Sequence, residues 1–309
     1  MRSGSSEDLA TFLGVLAILF WGALFAVSGS LATEIGALTA SALAYLIGGA
    51  LGLAPLLWSR SQRRNLLGMR PAYVLICGGL FVAYNAFLFQ SIGLATDSQQ
   101  VLEISVLNYL WPTFTLLFSI PVLKARAKPM LAVGLCAAFA GALLALGKGK
   151  NFQWEQFQHN LETNWAPYLL ALGAAVAWGL YSALTRRLAR NSKGNAVPLF
   201  ILASGLVLLW MSAGRVETHH WSARALGELA FLAIFPTLLA FLFWDISMRR
   251  GRVVLVVALS YFTPVLSLLV SSFYLKTSAG PSLWLGSLLV TVGAVICNYS
   301  LKEPASPAS

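Results

Sequence analysis

Ten apolar runs divide the chain, at about residues 9–33, 36–58, 73–95, 98–122, 129–147, 166–189, 196–214, 224–248, 252–275 and 281–301. Each is near the ~20 residues that a helix needs to cross a bilayer at ~1.5 Å per residue. The pattern therefore predicts ten transmembrane helices. The connections between the first and second runs, and between the third and fourth, are very short. The longest polar connection, GKGKNFQWEQFQHNLETNW, separates five runs from five. It sets the expected division: a first unit over 1–150, an extracytoplasmic connecting loop over 151–164, a second unit over 165–302 and a disordered tail over 303–309. The N-terminal MRSGSSEDLA has no clear cleavage pattern, so the first run is expected to stay in the mature protein.

Composition agrees with this pattern. The chain is 58% hydrophobic and 10% charged, against roughly 25% charged in a soluble domain. A water-soluble core has no room for that much apolar surface, so the chain reads as an integral membrane protein. Its net charge of +10 would point to nucleic acid in a soluble protein, but here the basic residues cluster between apolar runs. If the N-terminus is cytoplasmic, 16 of the 21 Lys and Arg fall on that side. Only Lys148, Lys150, Arg215, Arg224 and Lys276 fall on the other. That bias predicts both termini on the cytoplasmic face and leaves no case for nucleic-acid binding.

The two halves share a register. LNYLWPTFTLLFSIPVLK (107–124) and LSYFTPVLSLLVSSFYLK (259–276) align at an offset of 152, matching Tyr109 with Tyr261, Pro112 with Pro264 and Lys124 with Lys276. Pro129, Gly134 and Gly141 continue onto Pro281, Gly286 and Gly293. FLFQSIG (87–93) pairs with FLFWDIS (241–247) at offset 154, and Trp21-Gly22 falls on Trp178-Gly179 at offset 157. Five is odd, so a second copy enters the membrane from the other side. The expected fold is all-α and integral to the membrane, with two inverted five-helix repeats.

On these residues the sequence resembles the drug/metabolite transporter superfamily, in its ten-helix, two-repeat EamA branch. The resemblance rests on Trp-Gly in the first helix of each half and on the Tyr-x-x-Pro helices followed by Pro-x(4)-Gly-x(6)-Gly. Where family repeats often carry a glutamate after the Pro-bearing helix, this chain has Lys124 and Lys276. Within the branch the pattern is most similar to bacterial exporters of aromatic and other amino acids. The resemblance implies a multi-pass inner-membrane transporter that works as a monomer by alternating access, with an amino-acid substrate and no cofactor. Exporters of other drugs or metabolites, and nucleotide-sugar-type carriers, stay open beside it.

A transport site needs polar groups where lipid cannot reach. Candidates at mid-depth are Asn85, Asn108, Tyr109, Ser260 and Tyr261, with Tyr45, Tyr84, Tyr181 and Trp244 adding aromatic surface with a polar tip. Trp21 and Trp178 complete the set, and are expected to line opposite walls of one passage. Aromatic walls with neutral hydrogen-bonding groups suit a zwitterionic, partly apolar solute. The competing reading is helix glue, in which each polar side chain bonds a neighbouring helix for roughly 1 kcal/mol. No Lys or Arg sits at mid-depth, which disfavours phosphorylated substrates.

Among the acids, Glu103 has two readings: a buried proton carrier, or a side chain reaching the outer interface. Asp245 stands four residues before Arg249, which predicts an ion pair along one helix. Asp97 falls in an outer loop. Pro112 and Pro264 are expected to kink helices four and nine. Gly48, Gly49, Gly52, Gly141 and Gly293 read as sites of close helix packing.

Other function classes find less support. The histidines, His159, His219 and His220, fall in outer loops, and there is no HExxH or GxSxG, so an enzyme is not expected. Cys77, Cys136 and Cys297 lack metal or disulfide spacing. A channel would want a filter motif or an acidic ring, and neither is in the sequence. A membrane scaffold is the remaining rival.

Overall fold

The computed structural model describes residues 2–96, 98–146, 154–213, 217, 220–274 and 281–302. The first half holds α1 (Arg2–Ile35), α2 (Ala37–Leu53), α3 (Pro55–Trp58), α4 (Arg60–Leu67), a π-helical turn at Tyr73–Cys77 leading into α5 (Gly78–Gly93), α6 (Ser98–Asn108), α7 (Trp111–Leu123) and α8 (Met130–Leu146). Next comes α9 (Trp154–Thr163), followed by α10 (Ala166–Ala189) and α11 (Val197–Ser212). Then α12 (Ala223–Leu232), a π-helical stretch at Ala233–Leu239 and α13 (Ala240–Arg250) make one rod. Last are α14 (Val253–Leu259), a 3-10 turn at Ser260–Phe262, α15 (Thr263–Tyr274) and α16 (Pro281–Ser300).

The fold is all-α, and six of its helices are long and apolar enough to cross a membrane. Four shorter apolar helices occupy the other four runs. Large apolar side chains such as Leu57, Leu75, Leu206, Trp210, Trp284 and Leu288 stay exposed on the outside of the bundle. That surface suits a hydrocarbon solvent, and helices satisfy their own backbone groups there. The expected tail, 303–309, and the expected positions of Asp97, Lys148, Lys150, Arg215, His219 and Lys276 lie outside the described residues.

Helix neighbours occur in matched pairs. α1 packs on α13 and α15, and α10 packs on α5 and α7; α2 lies on α11, and α8 on α16. The close contacts repeat residue by residue. A Cβ on Gly22 would meet the Leu266 Cβ at 2.8 Å, and one on Gly179 would meet the Phe114 Cβ at 2.7 Å. Leu266 and Phe114 are related by the same offset of 152 that aligns the Tyr-x-x-Pro segments. Gly49 abuts Leu202 and Gly205 abuts Leu46; Gly141 abuts Val290 and Gly293 abuts Ala138. The glycines flagged by their spacing thus mark places where two helix backbones meet.

Three local features add to the expectation. Pro112 and Pro264 stand just after breaks in the helical segments of their spans. Each is the second residue of a new segment, α7 or α15, after a turn at Tyr109–Leu110 or the 3-10 turn at Ser260–Phe262. The missing N–H is harmless in a first helical turn. The prolines inside helical segments are Pro121, in α7, and Pro236, in the π-helical stretch. Two short helices, α4 and α9, occupy segments that carried no spanning signal, because they are brief and polar. Finally, Arg126–Ala127 pairs antiparallel with Leu301–Lys302, joining the two halves beside α8 and α16.

Between α1 and α2 the connection is one residue, Gly36, with φ +84°. A β-carbon is disfavoured there by the backbone and by the Glu217 side chain packed against it. The Glu217 carboxylate accepts the amides of Leu38 (3.0 Å) and Thr39 (2.8 Å), capping the start of α2.

Candidate functional site

Four tryptophans meet where the halves cross: Trp21 from α1, Trp111 from α7, Trp178 from α10 and Trp244 from α13. Every pair is in ring contact. Trp21 lies 5.7 Å from Trp178, 6.4 Å from Trp111 and 5.3 Å from Trp244. Trp111 lies 6.2 Å from Trp178 and 5.3 Å from Trp244, and Trp178 lies 6.1 Å from Trp244. Such pairs contribute about 0.5–1.5 kcal/mol each beyond the area they bury. Phe241 closes one side, 4.8 Å from Phe81 and 5.6 Å from both Trp21 and Trp178.

The depth of these indoles has a specific solution. Trp21 Nε1–H donates to the Pro236 carbonyl at 3.1 Å, and Trp244 Nε1–H donates to Ser182 Oγ at 3.1 Å. A buried indole N–H needs such a partner. Trp21 and Trp178 therefore do not face each other across an open passage; their rings touch edge to face. Gly22 and Gly179 bring α15 and α7 against the same two helices.

A polar group flanks the aromatic cluster. Tyr45 OH donates to Asn85 Oδ1 at 2.6 Å, while Asn85 Nδ2 reaches the Phe81 carbonyl (2.8 Å) and Ser204 Oγ (3.3 Å). Tyr84 stacks 4.7 Å from Trp178 and Tyr181 stacks 5.0 Å from it. Tyr109 is buried at the helix break. Asn108 Oδ1 is buried with no hydrogen-bond partner. The sequence candidates Trp21, Tyr45, Tyr84, Asn85, Trp178, Tyr181 and Trp244 thus come together.

Others do not join them. Ser260 Oγ turns back to the Val257 carbonyl at 2.6 Å, and Tyr261 OH bonds Thr113 Oγ1, bridging the halves as glue. Glu103 is 3% exposed and accepts from Tyr168 OH on α10 and from Asn160 Nδ2 (3.4 Å) on α9. A cavity of about 140 Å³ lies elsewhere, between Gly52, Pro55, Gln62, Asn195, Pro198 and Leu242.

The Asp245–Arg249 ion pair is present, and both side chains are buried. Tyr73 OH donates to Asp245 Oδ1 at 2.6 Å, Arg249 Nη2 reaches Tyr73 OH at 3.3 Å, and Arg249 Nη1 donates to the Gly194 carbonyl at 2.7 Å. Arg186 Nη1 donates to the Gly251 carbonyl at 2.8 Å. These contacts tie the π-helical turn before α5, α10, the α10–α11 loop and α13 together at the end of the bundle rich in arginine, called the basic end below. The sequence pattern missed Trp111, Phe81, Phe241, Tyr73 and Arg186. Trp111 stands beside Pro112 in YLWPTF, but its repeat partner is Thr263, so pairing by identity hid it. No sequence signal joins Tyr73 to Asp245.

Comparison with known proteins agrees with this architecture. Aromatic amino acid exporter YddG of Ancylobacter novellus is 33% identical over 310 residues, covering 96% of this chain and all of that protein. Aromatic amino acid exporter YddG of Escherichia coli is 27% identical over 292 residues, covering 94% and 97%. A solved crystal structure superimposes with a TM-score of 0.77 at 30% identity, covering 93% of this chain and 96% of its own. The EamA-like transporter family signature matches residues 8–147 and 165–299. The protein is a multi-pass inner-membrane transporter, and the chain belongs to the EamA-like transporter family.

Proposed function

We propose that the protein exports aromatic and other neutral amino acids by alternating access, as a monomer of two inverted five-helix repeats with both termini cytoplasmic. The observation that carries this reading is the aromatic cluster, to which each half contributes two tryptophans. A rocking motion between the halves would part Trp21 and Trp111 from Trp178 and Trp244, opening a space walled by aromatic rings. Tyr45, Asn85 and the unpartnered Asn108 Oδ1 would then offer hydrogen bonds to a zwitterion. The matched contacts at Gly22 and Gly179 support the inverted-repeat reading. The names of the YddG relatives support the substrate class. Asp245 and Arg249 hold each other at the basic end, and no phosphate-binding array of cations lines the cluster among the described residues.

Purified protein in liposomes tests the reading. Labelled phenylalanine should show saturable flux and counter-transport, threonine and glutamate should show the breadth of the site, and a nucleotide sugar should not move. Flux of phosphorylated solutes alone would sink the substrate class, and flux without counter-transport would indicate a channel. Glu103 is the candidate proton carrier, since it is a buried acid reached by two hydrogen-bonding side chains. A pH gradient should then drive transport, and Glu103→Gln should abolish the response.

A further inference from the structure

At the basic end, directly after the cluster's Trp244, α13 carries a buried carboxylate and, one turn on, a buried guanidinium. Asp245 is 0% exposed and Arg249 is 3% exposed. Beside them sits Tyr181, 0% exposed, whose hydroxyl has no hydrogen-bond partner. The adjacent Ser182 Oγ accepts from Trp244 Nε1 at 3.1 Å, and Arg186 one turn on donates to the Arg249 carbonyl at 3.3 Å, which seats this side of α10 against the Asp245–Arg249 turn of α13. Arg249 Nε is also buried and unpartnered. A buried tyrosine normally spends its O–H on a neighbour, so two unspent donors beside an ion pair suit a ligand that brings its own acceptor.

The site is one-sided. At the repeat offset of 154, Asp245 falls on Ser91, Arg249 on Ala95 and Tyr73 on Gly227; at 157, Tyr181 falls on Leu24. Backbone packing recurs in both halves, yet all four polar members are missing from the second position.

We propose that Asp245, Arg249, Tyr73 and Tyr181 form a zwitterion-binding site at the basic end of the pathway, an inference that rests on the amino-acid reading above. The substrate's ammonium pairs with Asp245, its carboxylate pairs with Arg249 and accepts from Tyr181, and the side chain lies against Trp178 and Phe81. The charge count favours this exchange. Breaking a buried ion pair is costly because it strands a charge. A zwitterion gives each member a new partner and strands none, whereas an amine strands Arg249 and a carboxylate strands Asp245. The site therefore selects amino acids over singly charged analogues of the same shape.

The test uses the full-length protein in liposomes, with labelled phenylalanine competed by phenethylamine and by 3-phenylpropionate. Phenylalanine should compete at least about tenfold better than either analogue, from the hydrogen bonds to charge that each analogue forfeits. Tyr181→Phe removes a hydroxyl that bonds nothing in the protein, so the fold should keep its melting temperature. It should nonetheless raise the half-saturation concentration for phenylalanine by about tenfold. The charge-free double variant Asp245→Asn with Arg249→Gln should lose the preference for the zwitterion. A Tyr181→Phe protein with wild-type half-saturation and wild-type discrimination overturns the site while leaving the export reading intact. If the wild type moves no amino acid, both fall together. If the double variant does not fold, Tyr181→Phe decides alone.

Discussion

The basic end of the bundle and the position the repeat relates to it differ in backbone as well as in chemistry: Arg249 is inside α13, whereas Ala95 lies past the end of α5. Asp245 and Arg249 are a buried ion pair; Ser91 and Ala95, their counterparts, are a hydroxyl bonded to its own helix at Leu88 and a methyl group. The same division of labour runs through the molecule. The glycine contacts at Gly22 and Gly179 recur at the repeat offset, as do Trp21 and Trp178, whereas Asp245, Arg249, Tyr73 and Tyr181 do not.

The largest expected effect breaks the comparison at its charged side. Arg249→Ala leaves Asp245 buried without its cation and should destabilise the protein by about 3–5 kcal/mol. Ser91→Ala should cost no more than about 1 kcal/mol. Denaturant or thermal unfolding in detergent measures both, and equal effects would erase the asymmetry. Next, Gly22→Ala and Gly179→Ala place a Cβ 2.8 and 2.7 Å from neighbouring Cβ atoms. Each should cost about 1–3 kcal/mol, in similar amounts, because the contacts are repeat-related. A large inequality in melting temperature would show that the scaffold is less symmetric than its contacts. Smallest, Tyr45→Phe breaks the bond to Asn85 and should cost about 1 kcal/mol, while raising the half-saturation concentration for phenylalanine. A change in stability with unaltered transport would make that pair helix glue.

What was legible in the sequence follows from which forces act locally. Length and apolarity alone mark a helix for lipid, so the ten runs fall on helical segments. Close-packed glycines are legible because each half repeats them. Pro112 and Pro264 marked the breaks in their spans, though proline reads alike within a helix and at the start of one. Direction was hidden as well: nothing in the string distinguishes Ser260, which bonds its own turn, from Asn85, which reaches across to α2 and α11. Contacts between distant residues of unlike type were out of reach. Tyr73 and Asp245 are 172 positions apart, and only the packed structure brings them within 2.6 Å.

The π-helical stretch at Ala233–Leu239 has a consequence for any helical wheel drawn from α12 through α13. A π turn accommodates a residue more than an α turn, so everything after it is rotated by about 100° from a straight wheel. Trp244, Asp245 and Arg249 all come after it. Deleting a single residue from that stretch, and so restoring α geometry, would keep all three facing their partners, whereas α geometry at full length would swing them away. The hydropathy profile would scarcely change.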